Sequence, residues 1–314
     1  MSFIISLLNS MPGAIAQGLI WGIMAVGVYI TYRVLDVSDL TVDGSLCTGG
    51  AVCVIMTLNG VPMPVALIAA VLAGMLAGMV TGILHTACGI PAILSGILTQ
   101  LALYSINLHI MGWGTDSGSK ANLPISIDKY NLWVSSRYVR DLSLENPYLV
   151  LIPVVVILIA ILYWLFGTEI GCSMRATGAN QSMARAQGIN TNITKVLGLM
   201  ISNGLVALAG ALFSQYQGFC DINMGRGAIV IGLAAVIIGE VLFSKVFVNF
   251  ALKLSACVIG AIVYYIVIQF VLKLGLSTDD LKLLTAVVVA LFLAIPYLKN
   301  VYKAKHVKGG KTNA

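Results

Sequence analysis

Apolar residues along this chain run in long unbroken stretches, and the charged residues fall between them. No Asp, Glu, Lys or Arg occurs from Met1 to Tyr32 or from Gly44 to Thr115. Further uncharged runs cover Asn146–Thr168, Val196–Cys220, Leu254–Leu272 and Leu283–Leu298. A helix that crosses a bilayer needs about 20 mostly apolar residues. Backbone amides in hydrocarbon have no water to bond, so such runs fold as helices, whose hydrogen bonds are internal. A membrane β-barrel would show short segments of alternating character, and Tyr148–Leu165 does not alternate. The runs predict helices over 13–33, 45–59, 64–86, 91–112, 147–167, 196–219, 227–243, 251–272 and 282–298. This is an all-α polytopic fold of about nine transmembrane or partly spanning helices, in a single membrane-spanning domain covering 1–314. The second span is short and the seventh opens on a Gly-rich stretch, which marks both as candidates for broken helices. Ser2–Ser10 is expected to be an interfacial piece.

Composition excludes a soluble domain. The chain is 59% hydrophobic and 10% charged, with mean hydropathy +0.97, whereas soluble domains carry about 25% charged residues. The net charge of +6 is not a nucleic-acid signal, because five of the positive charges sit in Lys299–Lys311. A basic tail of that kind is expected at the cytoplasmic face. The six cysteines lack C-x-x-C spacing. Those at Cys47, Cys53, Cys88 and Cys257 fall in apolar runs, as small hydrophobes do, and neither disulfides nor metal sites are expected. The N-terminus has no basic n-region, so a cleaved signal peptide is not expected.

Lys and Arg in the short loops orient the spans. A cytoplasmic tail, 299–314, places Lys245 inside by alternate crossings. It also places inside the loop 168–195 with Arg175, Arg185 and Lys195, and it places 113–146 and the N-terminus outside. The outside loop balances Lys120, Lys129, Arg137 and Arg140 against Asp116, Asp128, Asp141 and Glu145. Tyr32–Leu40 and Tyr216–Ile222 each follow a Gly/Ala-rich span. In this topology one span runs inward and the other outward, which hints at an inverted repeat of the kind found in transporters.

Three stretches carry candidate chemistry. Gly171–Asn190 is polar, rich in small residues and flanked by spans. Asn180 can cap a short helix there, and Gly188 can end it. An ordinary solvated connection and a docking surface are both open on these residues alone. Asp36, Asp39 and Asp43 lie between the first two apolar spans. Acids at a membrane boundary must be solvated or paired. Asp39 and Asp43 share a face if helical, and Asp39 or Thr41 can cap the following helix, so capping and solute contact both fit. Gln100, Tyr104, Asn107 and Met111 recur on one helix face, which fits either helix–helix hydrogen bonding or a lined path. Gly74 and Gly78 form a small-xxx-small packing pair. Glu240 is expected near the cytoplasmic edge, pairing with Lys245 or serving an interface there.

These stretches also carry a resemblance. Arg175, Ala176, Gly178, Asn180, Ala184, Gly188 and Ile189 follow the pattern Arg-Ala-x-Gly-x-Asn-x-x-x-Ala-x-x-x-Gly-Ile. That pattern resembles the cytoplasmic coupling loop of ABC importer permeases of the ribose and branched-chain amino acid class. Arg33–Ser45 resembles a signature in the subgroup associated with tryptophan-type amino acid uptake, and Gly232–Glu240 resembles a small-residue helix late in the family. The resemblance implies a permease in a bacterial plasma membrane, forming a homodimer with two cytoplasmic ATPase subunits and an extracellular substrate-binding protein. It implies that Arg175–Ile189 couples to the ATPase. Acids between two apolar spans make Asp39, Thr41 and Asp43 candidates for a gate, and the Gln100, Tyr104, Asn107 face, too polar for lipid, is the candidate lining of the translocation path. No cofactor is expected on this chain; ATP and Mg would bind the partner ATPase.

Enzyme signals are weak. Lys308–Thr312 ends like a phosphate-binding loop, but Lys305 stands where its first Gly belongs and no strand precedes it. His85, His109 and His306 lack metal-ligand spacing, and no catalytic set is evident. The alternative to an ATP-driven importer is an ion-coupled secondary transporter or channel using Asp39, Asp43 and Glu240.

Overall fold

The computed structural model describes residues 2–114, 118–126, 129–130, 132–139, 146–243 and 249–273, with single positions between 283 and 294. The expected span 282–298, the tail 299–314, Lys245 and the loop residues Asp116, Asp128, Arg140, Asp141 and Glu145 lie wholly or mostly outside the described residues. The chain is helical through α1 (Ser2–Tyr29), α2 (Val42–Leu58), α3 (Met63–Thr86), α4 (Ala92–Met111), α5 (Tyr148–Gly167), α6 (Glu169–Ala179), α7 (Gln181–Ala186), α8 (Thr191–Gln217), α9 (Ala228–Phe243) and α10 (Phe250–Lys273). α1 continues into a π turn, Ile30–Val34. Two short strands, β1 (Asn122–Pro124) and β2 (Phe219–Asp221), pair antiparallel with Leu123 opposite Cys220.

Among the described residues, six stretches are long and apolar enough to cross a membrane: Ser10–Val34, Met63–Thr86, Ala92–Met111, Tyr148–Gly167, Thr191–Gln217 and Phe250–Lys273. Val42–Leu58 and Ala228–Phe243 are apolar but shorter. Ser2–Ser10, expected to be an interfacial piece, is continuous with α1, which runs past Pro12, while the stretch apolar enough to cross begins at Ser10. The outer faces of α3 and α5 expose Ile68, Leu72 and Leu76, and Ile152, Val156, Ile157 and Ile161. In water a continuous apolar face of this kind would be a sticky patch, whereas lipid solvates it.

Close helix packing comes from small residues, since lipid supplies no hydrophobic drive between helices. A Cβ on Gly74 or Gly78 of α3 would collide with the Asn203 and Leu199 carbonyls of α8. One on Gly18 or Gly22 of α1 would press on Ile262 or Val258 of α10. α2 lies in the centre against α8, α3 and α4, with Gly49 seated on the Ala207 carbonyl.

These contacts give the helices their directions. α1 and α3 run antiparallel to α8, while α2 runs parallel to it, with Ser45 beside Asn203 and Gly50 beside Ser214. α2 therefore begins level with Asn203, about 18 Å up α8 from its N-terminus at 1.5 Å per residue. The missing lower part of that crossing is supplied by non-helical backbone over 36–41. The break begins at Asp36, a non-glycine residue at φ 54°. α9 mirrors this arrangement. After β2, residues 222–227 descend beside α2, where Gly225 meets the Asp43 carbonyl. α9 then runs to the opposite end, where Glu240 reaches Arg33. Two short helices thus start side by side inside the bundle and run in opposite directions. One end of the bundle carries α6 and α7, and the other carries the β1–β2 pair.

Candidate functional site

The meeting point of the two short helices concentrates the buried polar groups. Asp39, 2% exposed, accepts from the Thr41 N–H at 2.9 Å and from Asn203 Nδ2 at 2.7 Å. Asn203 Oδ1 accepts in turn from Ser45 Oγ at 2.6 Å. Thr41, Thr81 and Thr99 form a hydroxyl chain at 2.7 and 2.9 Å that links the start of α2 to α3 and α4. Asp43 lies one turn higher and faces α9, accepting from the Gly227 N–H at 2.9 Å and the Ile229 N–H at 3.0 Å. Helix N-termini present unsatisfied N–H groups and a partial positive charge. One carboxylate here serves both starts, sitting in the first turn of α2 and against the first turn of α9.

Asp39 and Asp43 therefore do not share a helical face. Asp39 precedes the helix in non-helical backbone and turns to α8, and Thr41, at the N-cap position, makes no capping bond with its side chain. The capping is done by Asp39, whose carboxylate holds the Thr41 N–H.

The Gln100, Tyr104, Asn107 face is split. The buried stripe of α4 is Ser95, Thr99, Leu103, Asn107 and Met111. Gln100 and Tyr104 each stand one residue beyond that stripe, about 100° round the helix. Tyr104 is 42% exposed and Gln100 is half-buried, while Asn107 is 1% exposed and donates to the Gly44 carbonyl at 3.4 Å. Asn107 supports the start of α2, and Tyr104 faces outward from the chain.

At the other locus, α6 and α7 form a helical pair between α5 and α8. α6 was not evident from its Gly- and Thr-containing sequence. Thr168 caps it through Gly171 N–H, Met174 is fully buried, and Thr177 bonds Thr194 of α8 at 3.0 Å. Gly178 lies against the Val34 carbonyl so closely that a Cβ would collide. Asn180 Oδ1 caps α7 through the Met183 N–H at 3.0 Å, and Gly188 ends it at φ 81°. Arg185 Nε donates to Thr191 Oγ1 at 2.8 Å. Ala184 is only 1% exposed, so it anchors α7 inward and is not a contact surface. The outward residues are Ser182, Met183, Ala186 and Gln187, with Arg175, Asn180 and Gly188 also exposed and Ala176 and Ile189 half-buried. Beside this pair, Arg33 and Glu240 form a two-pronged ion pair at 2.7 Å. The other partner considered for Glu240, Lys245, lies outside the described residues.

Ser45, Thr81, Thr99 and Asn203 were not singled out from the sequence, although Ser202–Asn203 inside the uncharged run Val196–Cys220 is a visible signal. Among the described residues no cluster of His, Cys, Asp and Glu could hold a metal ion.

The sequence profile of the family described as branched-chain amino acid transport system / permease component matches residues 10–298. A tyrosine transport system permease protein of Clostridioides difficile is 40% identical over 301 residues, covering 96% of each chain. An uncharacterised protein of Rickettsia prowazekii is 35% identical over 93% of this chain and 99% of its own length. The autoinducer 2 import system permease protein LsrC of Escherichia coli is 30% identical over 72% of this chain and 61% of its own. Among solved structures, PsaBC from Streptococcus pneumoniae in complex with Fab aligns over 85% of this chain and 95% of its own, at 15% identity and a TM-score of 0.43.

Proposed function

Because this chain belongs to the branched-chain amino acid transport system permease family, we propose that two copies form the membrane path of an ATP-driven amino acid importer. The chain is the permease subunit; an ATPase subunit hydrolyses ATP and a substrate-binding protein delivers the solute. Two ATPases, with their ATP and Mg, dock on the α6–α7 ends, and the binding protein docks over the β1–β2 ends. The α6–α7 end and the C-terminus are cytoplasmic, and about nine crossings make up two inverted halves. The relation to a tyrosine transport permease favours an aromatic amino acid.

The observation that carries this reading is the seat of α6–α7. Thr177 is bonded to α8, and Gly178 lies on the carbonyl of Val34, directly before the broken segment 36–41. Displacement of the pair is thereby passed to α8 and to the end of α1 that leads into the break. Bistable rigid contacts transmit motion, whereas a loose loop would absorb it. Met183, Ala186 and Gln187 supply the docking face; Arg175, Asn180 and Gly188 border it, and Ala184 holds it in place. Asp39, Thr41 and Asp43 form the gate that joins the two half-helices. Asn107 braces the gate, and Gln100 and Tyr104 line the path against the second copy.

An ion-coupled carrier would need free acids, yet each of the three is engaged: Asp39 by Asn203, Asp43 by α9 and Glu240 by Arg33. The test is reconstitution with the partner ATPase. Uptake should require ATP and hydrolysable Mg-ATP on the α6–α7 side, and the subunit alone should hydrolyse none. Uptake driven by an ion gradient without ATP would refute the reading.

A further inference from the structure

A cleft of about 780 Å³ opens between the β2–α9 segment, α1, α8 and α10. It runs from Phe219 and Asp221 at the β1–β2 end down to Gly227, whose N–H holds Asp43. Its wall is aromatic: Trp21, Phe213, Phe219 and Tyr264 line it, with Trp21 edge-on to Phe213 at 5.3 Å between ring centroids. One acid and one base stand at its mouth. Among the described residues, the Asp221 carboxylate accepts from the Asn223 N–H at 2.7 Å and, weakly, from Asn122 Nδ2 at 3.5 Å. Arg226 is exposed into the cleft and pairs with no carboxylate among the described residues. At the floor, Trp21 is 6% exposed, and its indole N–H has no hydrogen-bond partner among the described residues. That nitrogen is enclosed by its neighbours, so what Trp21 offers the cleft is its ring and not its N–H.

We propose that this cleft is a binding site for a zwitterionic aromatic amino acid on its way to the gate. The proposal rests on the reading above that the importer carries an amino acid. The carboxylate meets Arg226, the ammonium meets Asp221, and the ring lies against Trp21 and Phe213, as aromatic rings prefer edge and offset contacts. A solute seated here touches the segment 225–227 that clasps Asp43, so occupancy and the state of the gate are linked.

The test uses the permease–ATPase complex in lipid nanodiscs without binding protein, and measures equilibrium binding of tritiated L-tyrosine. Competition by tyramine, which lacks the carboxylate, and by deaminated tyrosine, which lacks the ammonium, reads each charge separately. L-Tyrosine should outcompete both. Arg226→Gln should weaken L-tyrosine by about tenfold or more, the loss of one charge-assisted contact, and erase its advantage over tyramine. Asp221→Asn should erase its advantage over the deaminated acid. Trp21→Phe, which keeps an aromatic surface at the floor, should keep most of the ring affinity. Arg226 is exposed, so its variant will assemble even if Trp21→Phe does not. Unchanged tyrosine binding in an assembled Arg226→Gln complex overturns the site while leaving the importer reading intact. A wild-type complex that binds no aromatic amino acid in nanodiscs, and in sealed vesicles takes up another solute instead, overturns the substrate class and the site together.

Discussion

Asn203 is the side chain on which the broken segment hangs, and replacing it with Leu separates a structural role from a merely local one. Asn203→Leu keeps the branched shape, adds some bulk and removes three contacts: the 2.7 Å donation to Asp39, the 3.0 Å donation to the Leu199 carbonyl and the acceptor of the Ser45 hydroxyl at 2.6 Å. A hydrogen bond to a charged group contributes about 1.5–3 kcal/mol, and a stranded buried hydroxyl costs about 1–3 kcal/mol. Polar contacts between membrane helices often measure smaller, about 0.6 kcal/mol on average, because the unfolded chain in lipid finds other partners. The 2% exposure of Asp39 weighs towards the upper range, and a net loss of about 2–4 kcal/mol is expected. At roughly 2–4 °C per kcal/mol, the thermal midpoint of the purified permease in detergent should fall by on the order of 5–15 °C. Ser45→Ala removes only the neutral bond and should cost about 1 kcal/mol. Adding Asp39→Asn to Asn203→Leu should recover part of the loss, because the uncompensated buried acid is what makes the single variant severe. A midpoint near wild type for Asn203→Leu, or a double variant worse than the sum of its parts, would refute the reasoning.

Four further outcomes are expected. Met183→Asp, at an outward position 52% exposed, should abolish copurification with the ATPase while leaving the thermal midpoint unchanged. Ala184→Trp should lower the midpoint, since overpacking a buried site costs about 1–3 kcal/mol. The Arg33–Glu240 pair has side chains 53% and 32% exposed, so Arg33→Gln should cost under about 1 kcal/mol of stability; loss of uptake in Arg33→Glu that returns in Arg33→Glu with Glu240→Arg would identify a charge pair used in transport. In a cysteine-free background, Lys120→Cys should react with an impermeant thiol reagent added to intact cells and Gln187→Cys only after permeabilisation, and the reverse pattern would invert the topology.

The sequence by itself determined the class of solvent and the kind of element. Long uncharged runs such as Asn146–Thr168 can satisfy their backbone in lipid only as helices, and α5 (Tyr148–Gly167) forms there. The Asn180 cap and the Gly188 stop were legible for the same local reason, since each acts through bonds or dihedrals within a few residues. The short second and seventh spans already pointed to α2 and α9, the two helices too short to cross on their own. What tertiary structure alone decided is how the breaks are used. Asp39 and Asp43 are four residues apart, yet one faces α8 and the other α9, because their donors come from residues 164 to 186 positions away. Local pattern carries no record of such distant partners. The same holds for Ala184, whose small size suited an exposed docking face equally well until the fold turned it inward. It holds for Glu240, which meets Arg33 across 207 residues. Periodicity gives the faces of a helix, and only the neighbours that cover a face settle whether a polar stripe on it is braced, like Asn107, or left open, like Tyr104.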